Sequence, residues 1–191
     1  MLRAYFRRPV FTFTTSACHL GLESALLMEL DDAGSKDPES LSLRLKGILQ
    51  EIHQEQWPHL PNPPGCNKRA SVSLVIRIRP AFTQEALFDK DRCSSSTQPF
   101  QTCLENFFSQ PWVQQGDPEV LFIKRAARAG DRWTSHIALP GGKMEPGDAD
   151  DRATSIRETM EETGLELNTD HCLYIGNLPE RVIKVMWGET P

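Results

Sequence analysis

No run of apolar residues in this chain approaches the roughly 20 that a membrane-crossing helix requires, so a helical span is excluded. A surplus of positive charge is missing too: at a formal net charge of −5 the chain lacks the electrostatic footprint of a protein that binds polymeric nucleic acid. Small anionic ligands stay compatible with that balance, because a bound cation inverts the field locally. Cys18, Cys66, Cys93, Cys103 and Cys172 are scattered, odd in number and without a CxxC pair, which suits a reducing compartment and offers no zinc ligand set. No internal repeat is present. Acidic residues are absent before Glu23, where Arg3, Arg7 and Arg8 stand among serines and threonines. A mitochondrial presequence and a flexible arm share that composition, and Pro9 would interrupt the amphipathic helix an import signal needs. The expected location is intracellular, cytoplasmic or mitochondrial, with the peroxisome also open.

What is present divides the chain into three parts. Its 191 residues, 39% apolar and 25% charged, suffice for one globular domain with a sizeable core. Residues 1–36 read as a flexible arm. Asp37-Pro38-Glu39 opens a helical stretch in which Leu41, Leu45, Ile48, Leu49 and Ile52 recur at helical spacing, a stripe for core packing. The prolines at 58, 61, 63 and 64 end it and stiffen a linker, so residues 37–65 read as an appendage to a main domain over 66–191. Residues 71–79 alternate and are rich in β-branched types, a first strand with Arg77 and Arg79 on one face, either meeting a ligand phosphate or solvated. Residues 83–119 carry a polar tract and a helix candidate at 101–110 with Leu104, Phe107 and Phe108 on its apolar face. This long insertion reads as a cover over a ligand or as a surface excursion packed by its own aromatics. Further strands are expected at 120–126, 136–139, 172–175 and 182–187.

The chemistry concentrates in residues 141–165. At about 100° per residue, Glu158, Glu161 and Glu162 project within roughly one 100° arc of a helix, so three carboxylates share a face. Like charges at i,i+3 and i,i+4 repel by about 0.2–0.5 kcal/mol per pair. The helix dipole just before the Gly164 stop signal adds a penalty of about 0.3–1 kcal/mol. A cation would remove that repulsion, and hard carboxylate oxygens suit Mg²⁺ or Mn²⁺; the bland alternative is a solvated, glutamate-rich helix. Gly141 and Gly142 follow the apolar His136-Ile137-Ala138-Leu139 and permit close backbone approach to a phosphate. Lys143 adds a point charge there, and Asp148, Asp150 or Asp151 can cap the helix.

This segment resembles a Nudix box, G-x5-E-x7-R-E-U-x-E-E-x-G-U with U a bulky apolar residue. Arg157, Glu158, Glu161, Glu162, Gly164 and Leu165 match it, while Thr159 replaces an apolar residue. Between Gly142 and Arg157 the chain has one residue more than the common box, with Asp148 at the position of the first glutamate. That longer form is similar to the coenzyme A diphosphatase branch, as are the Pro140-Gly141-Gly142-Lys143 turn and the strand Leu121 to Ala126. Ser135, Leu139 and Glu145 depart from that branch's signature and leave open another nucleoside diphosphate linked to a second moiety.

The resemblance implies an α+β fold, a mixed sheet sandwiched between helices, of which this chain looks like the first two thirds, incomplete at its C-terminus. It implies hydrolysis of the diphosphate linkage of a small nucleoside diphosphate derivative, with Mg²⁺ or Mn²⁺ as cofactor. Glu158 and Glu162 would be the first metal ligands and Glu161 the third. Arg157, Glu158 and Glu161 would form the catalytic group, with Arg157 orienting or partly neutralising the carboxylates, and Gly141, Gly142 and Lys143 would meet substrate. The general base is open between a box glutamate and an acid from a later loop, and Glu180 and Glu189 are the acids near the C-terminus. The rival reading is a catalytically inactive, truncated Nudix-like protein or a binding module.

Overall fold

The strand expected at 71–79 runs from Arg69 to Arg79 (β2), and its alternating burial sends Ser71, Ser73 and Val75 to one face and Ile76 and Ile78 to the other. The computed structural model describes residues 10–18, 41–80, 98–127, 129 and 135–182. In chain order its elements are β1 (Val10–Cys18), α1 (Leu41–Gln54), β2, α2 (Phe100–Phe108), α3 (Pro111–Gln114), β3 (Asp117–Val120), β4 (Ile123–Lys124), β5 (Ile137–Ala138), β6 (Gly141–Lys143), α4 (Asp151–Thr163), β7 (Cys172–Asn177) and β8 (Arg181–Val182).

Six of these strands form one sheet with the path β3-β2-β1-β7; β6 also pairs with β2, and β8 with β1. The sheet is mixed: β1 runs antiparallel to β2 but parallel to β7 and β8. Strands β4 and β5 make a separate two-stranded sheet. The α+β class is therefore as expected.

Residues 10–18 correct the expected arm. They form β1, in register with β2 from Val10↔Arg77 to Cys18↔Arg69, and Phe11 is buried in the core. A composition rich in hydroxyls and free of acids hid a pattern in which aromatic and β-branched residues suit a pleated strand. Helix α1 is likewise no appendage, since Leu49 is fully buried and Leu45 and Ile52 pack beside it in the main core; Leu41 and Ile48, from the same stripe, are exposed.

The helix expected at 101–110 is α2, and it supplies the core. Leu104, Phe107 and Phe108 are buried with Phe11, Ile76, Ile78 and Val113. Phe11 stacks on Phe108 at 5.7 Å between ring centroids and meets Phe107 edge-on at 5.0 Å, geometries that favour aromatic pairs. The described part of the insertion packs into the core, with Phe107 also meeting Phe108 and Trp112 edge-on; residues 81–97 lie outside the described residues. The expected 120–126 strand is split between β3 and β4, and of the 182–187 strand only Arg181–Val182 falls within the described residues. Arg77 and Arg79 pair with Glu119 and Asp117 across the β2–β3 ladder, and Arg79 is solvated as well, its side chain 58% exposed.

Helix α4 lies on the opposite face of the sheet from α1 and α2, and its contact layer is polar. The hydroxyls of Thr159 and Ser73 are 3.0 Å apart, and they reach the Ser155 carbonyl at 2.7 and 3.2 Å. Thr14 and Ser155 hydroxyls are also 3.0 Å apart. Thr159 therefore replaces the usual apolar residue for a reason: the strand beneath presents serine, and each buried hydroxyl needs a partner.

Candidate metal centre and catalytic site

The local sequence sets both ends of α4. Asp150, with extended backbone, accepts a hydrogen bond from the Ala153 amide at 2.7 Å through its side chain, a standard way of satisfying an orphan N–H at a helix start. Gly164 closes the helix in the left-handed conformation at φ 71°, and its N–H bonds to the Met160 carbonyl. Of the three aspartates offered as caps, Asp150 is the one used.

The Gly141–Lys143 turn becomes a short strand because β2 offers it a free edge, with Ala70↔Lys143, Ser71↔Gly142 and Val72↔Gly141 paired. Two box glutamates meet this strand. The Gly141 amide donates to Glu162 Oε2 at 2.9 Å. Gly142 sits so close to Glu158 that a Cβ there would lie 2.4 Å from its carboxyl carbon. A side chain at 142 would thus displace the Glu158 carboxylate.

Arg157 ties the remaining groups together. It donates to both Asp148 carboxylate oxygens and to the Lys143 carbonyl, each at 2.9 Å, and reaches Glu158 Oε1 at 3.2 Å and Glu161 Oε1 at 3.4 Å. Asp148, at the position of the first box glutamate, is thereby held as the partner of Arg157 and only 6% exposed. The Arg157 hydrogen bonds hold its carboxyl well below the usual carboxylate range against the cost of burial, aided by the Glu145 amide and the Thr154 hydroxyl. Burial pushes the Glu162 carboxyl up, and the neighbouring charges of Glu158 and Glu161 add to that, while the Gly141 amide opposes it. Three like charges at one helix end are thus incompletely compensated, an environment that a divalent cation would relieve.

The three glutamates do not converge tightly. Among the described residues, the group of three potential ligands with donor atoms within 4.8 Å of one another is His59, Asp151 and Glu180. A cation already stands there: Arg69, itself buried, places Nε 2.7 Å from Asp151 and a terminal nitrogen 2.6 Å from Glu180, and contacts His59 Nδ1 at 3.2 Å. Glu180 is therefore committed to Arg69 and to the Leu60 amide at 2.7 Å, not to an open site. Glu189 lies outside the described residues.

Asp148 and Glu180 give the acid stability a defined shape. Burial opposes ionisation of Glu180, yet the bonds from Arg69, Leu60 and His59 leave its carboxyl lowered. A carboxyl with a lowered folded value stabilises the fold fully above its unfolded value, near 4, and loses that contribution as pH falls through the folded value. Denaturant titrations at successive pH values should therefore show stability falling below about pH 4, less steeply in Asp148→Asn. An unchanged profile in that variant would rule out the Arg157 pair as the source.

The fold and site together define an α+β domain in which a glutamate-bearing helix rests on a glycine turn. Residues 111–182, from α3 to β8, match the model of the NUDIX domain. It is 42% identical over 135 residues to an uncharacterized protein of Schizosaccharomyces pombe, covering 69% of this chain and 33% of that one. It is 40% identical over 57 residues to the mitochondrial coenzyme A diphosphatase NUDT8 of Mus musculus, covering 30% of this chain and 27% of the relative. The human protein of that name is 39% identical over the same length, covering 30% and 24%. The matched stretches thus span a third or less of these relatives. No solved structure matches. Among the described residues no helix is long and apolar enough to cross a membrane.

Proposed function

We propose that this chain carries a metal-dependent hydrolase site that cleaves the diphosphate linkage of a nucleoside diphosphate derivative, with coenzyme A the leading substrate. The observation that carries this reading is the meeting of Glu158 and Glu162 with the Gly141-Gly142 strand. The donor set fits a hard divalent ion. Glu158, Glu161 and Glu162 would hold Mg²⁺ or Mn²⁺, whose charge would neutralise phosphate oxygens during attack and departure. The chain's own groups do the positioning. Gly141 and Gly142 let backbone approach the diphosphate, Lys143 places a positive charge beside it, and Arg157, fixed by Asp148 and the Lys143 carbonyl, orients Glu158 and Glu161. Each of these contacts engages one carboxylate oxygen, and the second oxygen of Glu158, Glu161 and Glu162 would meet the cation. The names of the mouse and human relatives favour coenzyme A and a mitochondrial location.

A second reading, a binding module without turnover, is favoured by the incomplete convergence of the three carboxylates. Incubation with coenzyme A, ADP-ribose and dinucleoside polyphosphates, with Mg²⁺ or Mn²⁺ and with chelator, separates the readings. The expected result is metal-dependent release of 3′,5′-adenosine bisphosphate and 4′-phosphopantetheine, fastest from coenzyme A. Faster turnover of a competitor would move the assignment to another branch of the family. Metal binding with no turnover of any substrate would favour the binding module.

A further inference from the structure

Arg69 stands where two halves of the candidate site are joined. Its side chain grips Asp151, the first residue of α4, through Nε at 2.7 and 2.8 Å. Its backbone carbonyl accepts from the Met144 amide at 2.9 Å, directly after β6, while the next residue, Ala70, pairs with Lys143. One residue therefore fixes both the start of the glutamate helix and the end of the glycine strand. The remaining arms run elsewhere: to Glu180 at 2.6 Å in the β7–β8 connection, to the Leu60 carbonyl at 2.9 Å and to Asn62 at 3.2 Å in the proline-rich linker. Only 8% of Arg69 is exposed, so its charge is compensated by these partners and not by water.

We propose that Arg69 is a positioning residue: by locking Asp151 to the base of β2 it sets the register of α4 against β6, so that Glu158 and Glu162 fall on Gly142 and Gly141. Several features support a register role over general adhesion. The polar α4 layer of Thr154, Ser155 and Thr159 is a set of short hydroxyl contacts that tolerates little sliding. The single Nε–H is shared between both Asp151 oxygens while the terminal nitrogens reach Glu180, Leu60 and Asn62, a fixed planar set of donors that a lysine point charge lacks. The two acidic arms also differ in what they touch, since Asp151 belongs to α4 and Glu180 does not.

That difference makes the proposal testable, and although it rests on the functional reading above, its first readout does not depend on turnover. The Gly141 amide bonded to Glu162 reports the register directly, and its hydrogen exchange can be followed by nuclear magnetic resonance in wild type, Arg69→Lys, Asp151→Asn and Glu180→Gln. Exchange should quicken about tenfold in Asp151→Asn and Arg69→Lys and stay within about twofold of wild type in Glu180→Gln. In parallel, kcat should fall about tenfold in the first two with KM little changed, as a misplaced catalytic group predicts. Equal exchange in Asp151→Asn and Glu180→Gln would overturn the proposal and leave Arg69 a general structural clamp. If wild type turns over no substrate but the exchange pattern holds, the functional reading fails and the positioning role stands. Should Arg69→Lys fail to fold, the comparison of the two acid variants decides alone.

Discussion

Glu162→Gln is expected to lower kcat for the best diphosphate substrate by at least about a hundredfold, since even residues that only support a metal ligand typically cost about 10–100-fold. The variant is well controlled by its own geometry. Glu162 Oε2 accepts from the Gly141 amide at 2.9 Å, and the carbonyl oxygen of glutamine can accept the same bond, so the strand stays clasped while the charge is lost. Steady-state kinetics with Mg²⁺ and Mn²⁺ would read the change, and retention of full activity would remove Glu162 from the metal site. Glu161, whose side chain is 59% exposed and pairs with Arg157 at 3.4 Å, should show the smallest loss of the three box glutamates.

The largest expected effect on stability comes from Gly141→Ala. A Cβ at this position would lie 2.3 Å from the Ser71 carbonyl oxygen and 2.6 Å from the Val72 Cα, and the backbone φ of 153° is one that L side chains rarely adopt. Overpacking against backbone typically costs about 1–3 kcal/mol, and an unfavourable backbone conformation a comparable amount. Neither Ser71 nor Val72 can retreat, because both belong to β2, which pairs on its other edge with β1. The midpoint of thermal unfolding should drop by roughly 5–10 °C for a chain of this size. Gly142→Ala should behave differently, since its obstacle is the flexible end of Glu158. There the fold should survive and metal affinity should fall. A midpoint for Gly141→Ala within a degree of wild type would show that β6 is not seated as described.

Much of this site is visible in the chain because it is local. Asp150, the spacing of Glu158, Glu161 and Glu162, and Gly164 lie within one helix, where the 3.6-residue period and the cap chemistry fix their relation. The core of α2 is visible for the same reason, through Leu104, Phe107 and Phe108. The misses are non-local. Gly141–Lys143 reads as a loop because nothing nearby announces β2 as its partner. Residues 10–18 read as an arm because a composition rich in hydroxyls and free of acids masks their strand pattern, and because a strand needs partners that here stand at 69–79 and 172–177. Arg69 carries no sequence signal, since the acids that surround it arrive from α4 and from the β7–β8 connection. Thr159, a departure from the box, becomes intelligible only once Ser73 is seen beneath it.

The central claim is that the glutamate face of α4, and not the tighter His59-Asp151-Glu180 cluster, takes up the divalent cation. Electron paramagnetic resonance of free Mn²⁺, titrated into wild type, Glu158→Gln/Glu162→Gln and Asp151→Asn/Glu180→Gln, tests it directly. Wild type should deplete the free Mn²⁺ signal, the box double variant should leave it nearly undiminished, and the Asp151/Glu180 double variant should still deplete it. Depletion by the box double variant equal to that of wild type would contradict the account.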